Sequence, residues 1–278
     1  MNARLLFILL LFTIGALWYI IGYWRRKAGE AAFAAARLTE KSEERERYCR
    51  LAVMAGHREA CRMFCLLHPE RFDGHSPHKP FKLRGIRISF YGYYYPSRYN
   101  ALLNDEQRAF CHSIYQFKQG DIHGIEFFKT CMNALQLKKR PYHIMFMPCS
   151  NWIKYGQRFK RLDWYIGKHR QDLTSGLYDV DICDARESLH EAKGGEKRIL
   201  ERNYLITGKI KRKEIIIIDD VLTTGQSVVD YKEEIERCGG KVVAAIFYGK
   251  TLSMPSMLLV QIHVWGNHIA HIIERMTK

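Results

Sequence analysis

Two adjacent carboxylates, followed by hydroxyls and a glycine, form the stretch of this chain best suited to chemistry. Asp219 and Asp220 stand directly before Val221-Leu222-Thr223-Thr224-Gly225-Gln226-Ser227. Ionised carboxylates only accept hydrogen bonds, so a neighbouring pair suits a partner that donates two, such as the vicinal hydroxyls of a sugar. The hydroxyls of Thr223, Thr224 and Ser227, with the N–H groups from Leu222 through Gly225 and Gln226 to Ser227, can surround a terminal phosphate without a lysine. Gly225 lets bare backbone come close to that phosphate. A phosphate cup beside a diol clamp describes a ribose 5-phosphate.

The elements that must hold these residues follow from the flanking pattern. Ile215 to Ile218 are four consecutive β-branched apolar residues, a strand buried on both faces in the middle of a parallel sheet. Open α/β sheets bind ligands at the carboxyl ends of such strands. Gln226 to Arg237 has helical spacing, which turns free N–H groups and a positive dipole end toward the cup. The bland alternative is a buried strand ending in an Asp-capped turn with no ligand.

From residue 143 onward, strand and helix alternate: strand at 143–147, basic helix at 154–170, strand at 178–183 and a polar stretch at 184–204. The acid-bearing strand and its helix come next, then strands at 242–247 and 258–264 and a closing helix to Met276. This predicts an α/β fold with a parallel sheet. Ahead of it, Phe81 to Tyr95 reads as a strand or hairpin, and 105–119 and 122–137 read as helices. Tyr93, Tyr94 and Tyr95 either stack a base or pack in the core.

The run from Ile215 to Ser227 resembles the signature of the type I phosphoribosyltransferases, which bind phosphoribosyl pyrophosphate (PRPP). Two shorter words resemble the ComF/amidophosphoribosyltransferase-like branch: Ile114 to Gly120, and Met147-Pro148-Cys149-Ser150 followed by Arg158-Phe159. The likeness covers roughly residues 81 to 255. It implies a parallel-sheet type I phosphoribosyltransferase fold that transfers ribose 5-phosphate from PRPP to a nitrogen acceptor with release of pyrophosphate. Asp219 and Asp220 would be the catalytic acids, holding the diol and favouring a cationic ribose ring. Mg²⁺ would bridge pyrophosphate and ribose oxygens with no named protein ligand.

By the same resemblance Cys149, Ser150 and Asn151 form the pyrophosphate loop, with Arg158 and Arg161 as helpers. An ordinary strand-to-helix turn is the alternative. The segment 186–198 suits a mobile lid whose candidates are His190, Lys193, Lys197 and Arg198, or else a solvated loop. ComF-like proteins usually carry an Arg shortly before an Asn here. In this chain Arg198 or Arg202 precedes Asn203 at another spacing, and the amino-terminal zinc-binding cysteine pairs of that family are missing. A PRPP-binding regulatory protein without turnover and a ComF-like competence or DNA-uptake factor are the other classes. Pyrophosphate release separates the first from an enzyme. A salt-dependent oligonucleotide shift would support the second, which ranks last because no basic–aromatic nucleic-acid module appears.

The bulk of the chain sets the remaining expectations. A composition 47% hydrophobic and 13% aromatic excludes a disordered chain, and a net charge of +15 favours anionic partners. Residues 5–24 carry no charge and end in Trp18, Tyr19, Tyr23 and Trp24, with Arg25-Arg26-Lys27 next. That reads as a transmembrane anchor at residues 1–27, placing the rest in the cytoplasm at the inner membrane; a cleaved signal peptide is the rival. Residues 28–79 read as a helical segment and linker, and residues 80–278 as the phosphoribosyltransferase-like domain. Tyr48 to Ala60 resembles one Sel1-type repeat, a helix ending at Ala55-Gly56 and another beginning at His57, which would offer a surface to a protein partner. Cys61 and Cys65, with His57 and His68 nearby, share a helical face but lack the second Cys pair of a zinc ribbon, so free thiols in a reducing compartment are expected. The acceptor and the oligomeric state are left open.

Overall fold

A computed structural model describes residues 3–122, 124–182 and 203–277, with side chains from residue 10 onward in the first helix. The elements in order are α1 (Ala3–Leu38), α2 (Ser42–Met54), α3 (Arg58–Leu67), α4 (Pro69–Asp73), β1 (Phe81–Leu83), β2 (Ile86–Tyr94), α5 (Asp105–Gln119) and α6 (Ile125–Leu135). They continue with β3 (Tyr142–Phe146), α7 (Trp152–His169), β4 (Leu173–Ser175), β5 (Val180–Ile182), β6 (Tyr204–Ile206), β7 (Glu214–Leu222), α8 (Gln226–Arg237), β8 (Lys241–Thr251) and α9 (Met257–Met276).

Two compact units emerge. One comprises Met1–Gly74, Ala101–Leu103 and Ser253–Lys278; the other comprises His75–Asn100 and Asn104–Leu252. The sequence boundary at residue 80 kept the closing helix with the α/β domain, whereas its contacts place it with the helical unit.

The α/β unit is a six-stranded sheet in the order β1-β2-β8-β7-β3-β4. All neighbours are parallel except the edge hairpin β1–β2, which turns through Arg84-Gly85. The four isoleucines of β7 are fully buried, and β7 lies between β3 and β8. A strand enclosed on both faces needs this unbroken apolar run; each such side chain stabilises the fold by about 1.5–3 kcal/mol. α6 packs on β2 and β8, α5 on β2, β7 and α7, and α8 on β8. Gly92 and Gly249 lack a Cβ where one would meet the Phe110 ring and the Ile114 methyl, which brings α5 against the sheet. α5 begins with a capping box between Asn104 and Gln107 and ends at Gly120 in the left-handed region (φ +80°).

Several local expectations change. The strand expected at 178–183 belongs to a separate antiparallel pair, β5–β6, outside the main sheet. The strand expected at 258–264 is the first half of α9: Ser256 caps Leu259 N–H, and Val260 and Val264 face a core at helical spacing. The linker at 68–80 contains α4. The lid candidates His190, Lys193, Lys197 and Arg198 lie outside the described residues.

The helical unit is built on α1, α2, α3 and α9 around Ala36, Cys49, Ala52, Val53, Phe64 and Val260. α2 ends at Ala55-Gly56, and the His57 side chain accepts the Ala60 N–H to open α3. Cys61 and Cys65 face this core, and burial pushes their thiols up to about 11 and about 12. They serve there as small apolar groups.

The transmembrane anchor does not hold. Among the described residues no helix is long and apolar enough to cross a membrane. α1 runs unbroken from Ala3 through Arg25-Arg26-Lys27 to Leu38, and its later part packs Ala32, Phe33 and Ala36 into the core of the helical unit. The single-pass placement at the inner membrane falls with it.

Candidate functional site

Parallel pairing sets the site. β3 and β7 are in register, with Phe146 opposite Ile218, and Met147 N–H donates to Ile218 O at 2.9 Å. The loop 147–151 therefore leaves β3 beside the acids 219–220, which are still part of β7 near the carboxyl end of the sheet. β7 continues to Leu222, a turn carries Thr223 and Thr224, and α8 starts at Gln226 with Gly225 as its N-cap.

Thr223, Thr224, Gln226 and Ser227 are exposed, so the hydroxyls and helix-start amides of the expected cup face outward. Thr224 Oγ1 accepts from Gln226 N–H at 3.4 Å. Gly225 adopts φ +80°, where a side chain is strained, and a Cβ there would collide with Leu83 of the edge hairpin. Leu83 thus packs beneath the turn, and Arg84 donates to Gln226 Oε1 at 2.7 Å. This support was not read from the sequence, because it joins residues 142 positions apart.

The acids are enclosed more than a surface diol clamp would be. Asp220 is 6% exposed. Its carboxylate faces Arg158 Nη1 at 2.7 Å and Lys118 Nζ at 3.5 Å. Arg158 also lies 3.8 Å from Asp219 Oδ1, and that oxygen accepts the Asp220 N–H at 2.8 Å. Burial, and then the neighbouring Asp220 charge, push the Asp219 carboxyl up to about 7, against the pull of Arg158 and Lys118. Burial is the largest single effect on Arg158 and opposes its charge, yet Asp220, Cys149 and Asp219 together outweigh it and keep the guanidinium above its ordinary value.

Arg158 was a candidate helper for the pyrophosphate loop; in this structure it reaches the acids. Arg161 is exposed on α7. Lys118 lies in the quoted 114–120 word, but no sequence signal tied it to the acids; it sits in the last turn of α5, with four strands, β3 to β6, between it and β7 in sequence order.

The loop 147–151 divides its duties. Asn151 Oδ1 accepts the Lys154 N–H at 2.9 Å and so caps α7. Cys149 is buried, its carbonyl accepts from Asn203 Nδ2 at 3.3 Å, and burial pushes its thiol up to about 12. A thiol so held stays protonated and is no nucleophile at neutral pH. Ser150 is half-buried between them, leaving its hydroxyl and the first N–H groups of α7 as the loop's donors toward an anion.

Carboxylates that already face a guanidinium and an ammonium are poor material for a cation cage. A Mg²⁺ brought by a ligand would be held chiefly by that ligand's own oxygens and by water.

No protein-family model matches the chain, and no curated protein matches it.

Proposed function

We propose that the α/β unit binds PRPP and transfers its ribose 5-phosphate to a nitrogen acceptor. The observation that carries the reading is the placement of the 215–227 run. Its acids lie near the carboxyl end of an enclosed parallel strand, its hydroxyls are exposed at the start of α8, and the 147–151 loop lies alongside.

In this reading the Thr223–Ser227 cup takes the 5-phosphate, drawing on hydroxyls, N–H groups and the helix dipole. Asp219 and Asp220 accept from the ribose hydroxyls, and Ser150 with the start of α7 holds pyrophosphate. Arg158 and Lys118 neutralise Asp220 before substrate arrives; a diol entering between them competes for the same carboxylate oxygens. Bound Mg²⁺ would offset the charge of the pyrophosphate. In the transfer the acceptor nitrogen's lone pair forms the bond to C1, the C1–O bond breaks with its electrons leaving on pyrophosphate, and the acceptor's N–H proton passes to water. The protein contributes positioning and negative charge beside a ring that becomes cationic.

Calorimetry with PRPP and Mg²⁺ tests binding, and pyrophosphate release in the presence of acceptors tests turnover. The wild-type chain binds, and Asp219→Asn with Asp220→Asn abolishes binding while the chain stays folded. Equal affinity in that double variant would reject the diol clamp. Binding without pyrophosphate release would favour the regulatory reading.

A further inference from the structure

A cleft opens beside the acids. It has a volume of about 350 Å³ and is lined by Tyr94, Tyr95, Arg108, His112, Tyr115 and Lys118 among others, with no carboxylate in its lining. Lys118 joins it to the acid pair, since the ammonium that lines the cleft lies 3.5 Å from Asp220 Oδ2.

The sheet explains the adjacency. Val221 on β7 is paired with Gly249 on β8, and Gly249 with Gly92 on β2. A Cβ on Gly249 would meet Ile114 Cδ1 at 2.6 Å and Tyr94 Cβ at 3.1 Å, so the missing side chain seats both cleft residues against the strand beside the acids. Two strand spacings separate β7 from β2, roughly 10 Å, which matches a planar ring joined to a ribose held on β7.

The lining selects the ligand. The Tyr115 side chain is 59% exposed, leaving its ring free to stack on a planar group. Arg108 and Lys118 give the cleft a positive rim, with His112 beside them. Arg108 meets the carboxylate of Asp105 at 2.6 Å, but that side chain is 97% exposed and stands outside the lining. A cleft lined by guanidinium and ammonium groups, with no carboxylate in its lining, favours an anionic ligand over a neutral one.

We infer that this cleft holds the acceptor, and that the acceptor is a planar aromatic N–H compound bearing a carboxylate. This rests on the phosphoribosyl-transfer reading of the neighbouring acids. The ring stacks on tyrosine, its carboxylate meets Arg108, and its nitrogen points past Lys118 toward the ribose.

The test titrates the full chain with orotate and anthranilate, and with their uncharged counterparts uracil and aniline, with and without PRPP and Mg²⁺. The acids bind at least tenfold more tightly than the neutral rings. Arg108→Gln weakens the acids at least tenfold, Arg108→Lys retains most of the affinity, Tyr115→Ala weakens acids and neutral rings alike, and PRPP affinity is unchanged in all three. Neutral rings binding as tightly as the acids, acids that do not bind, or Arg108→Gln without effect on them would each overturn the inference even if PRPP binds. Acids that bind through Arg108 while PRPP does not would leave the cleft's ligand class standing and remove the phosphoribosyl reading instead.

Discussion

Asp219→Asn should make the protein more stable at pH 8 and abolish PRPP binding, two effects with one cause. The Asp219 carboxyl is raised from 3.8 to about 7, by burial first and by Asp220 second. Between those values the folded state binds a proton that the unfolded state has lost, so stability falls as pH rises through that window. Above pH 7 the ionised group costs the fold its full amount. A shift of about three units at 1.36 kcal/mol each is on the order of 4 kcal/mol. Asparagine keeps an oxygen to accept the Asp220 N–H and carries no charge. Urea denaturation of both proteins should show near-equal stability at pH 4 and a variant more stable by about 2–4 kcal/mol at pH 8. Taking the difference cancels the other titrating groups. A variant equally or less stable than wild type at pH 8 would refute the reasoning. A costly carboxylate retained at a ligand-facing edge is what a binding site requires, so the same substitution should remove the diol contact.

Three further outcomes follow from the geometry. Arg158→Met leaves two enclosed carboxylates without their guanidinium and should destabilise the chain by roughly 3 kcal/mol at pH 8 and by less at pH 4, where Asp219 is protonated, as measured by urea midpoints. Gly225→Ala forces an L side chain into φ +80° against Leu83; calorimetry should show about 1–2 kcal/mol of lost stability and PRPP affinity at least tenfold weaker. His143 is hydrogen-bonded to Thr174 Oγ1 at 2.7 Å and Asp179 Oδ2 at 2.6 Å, and burial, then Lys213, hold its pKa below 6.5 despite Asp179. The unfolded state therefore gains its proton first, and stability falls as pH drops through 6.5. His143→Phe should cost about 2–3 kcal/mol at pH 8, from the lost hydrogen bonds and an unpaired Asp179, and should blunt the fall below pH 6.5 in acid titration of the melting temperature.

Local pattern carried much of this architecture. Ile215 to Ile218 announced an enclosed strand, and Gly225-Gln226 announced a helix start, because both depend on neighbouring residues alone. The pairing of β1–β2 with the turn at Gly225 depends on Leu83 and Arg84 meeting residues far along the chain, which no local period reveals. The misread strand at 258–264 shows the same limit. Leu258, Leu259, Val260 and Val264 form a short apolar run that fits either period, and Ser256 as a cap decided for helix. The supposed anchor failed in the opposite way. Aromatic residues and basic residues after an apolar run satisfy an interfacial pattern, but α1 continues past them to Leu38 and packs its later part into the core of the helical unit. The acids were legible as a pair; their partners were not, since Arg158 and Lys118 arrive from two other helices.

The central claim is that Thr223 to Ser227 grip a sugar phosphate. It is tested most directly by titrating ribose 5-phosphate into isotope-labelled protein and following backbone amide resonances. The largest shifts should fall on Thr224, Gly225, Gln226 and Ser227, with smaller ones on Asp219 and Asp220. Shifts confined to other surfaces, or none at millimolar ligand, would contradict it.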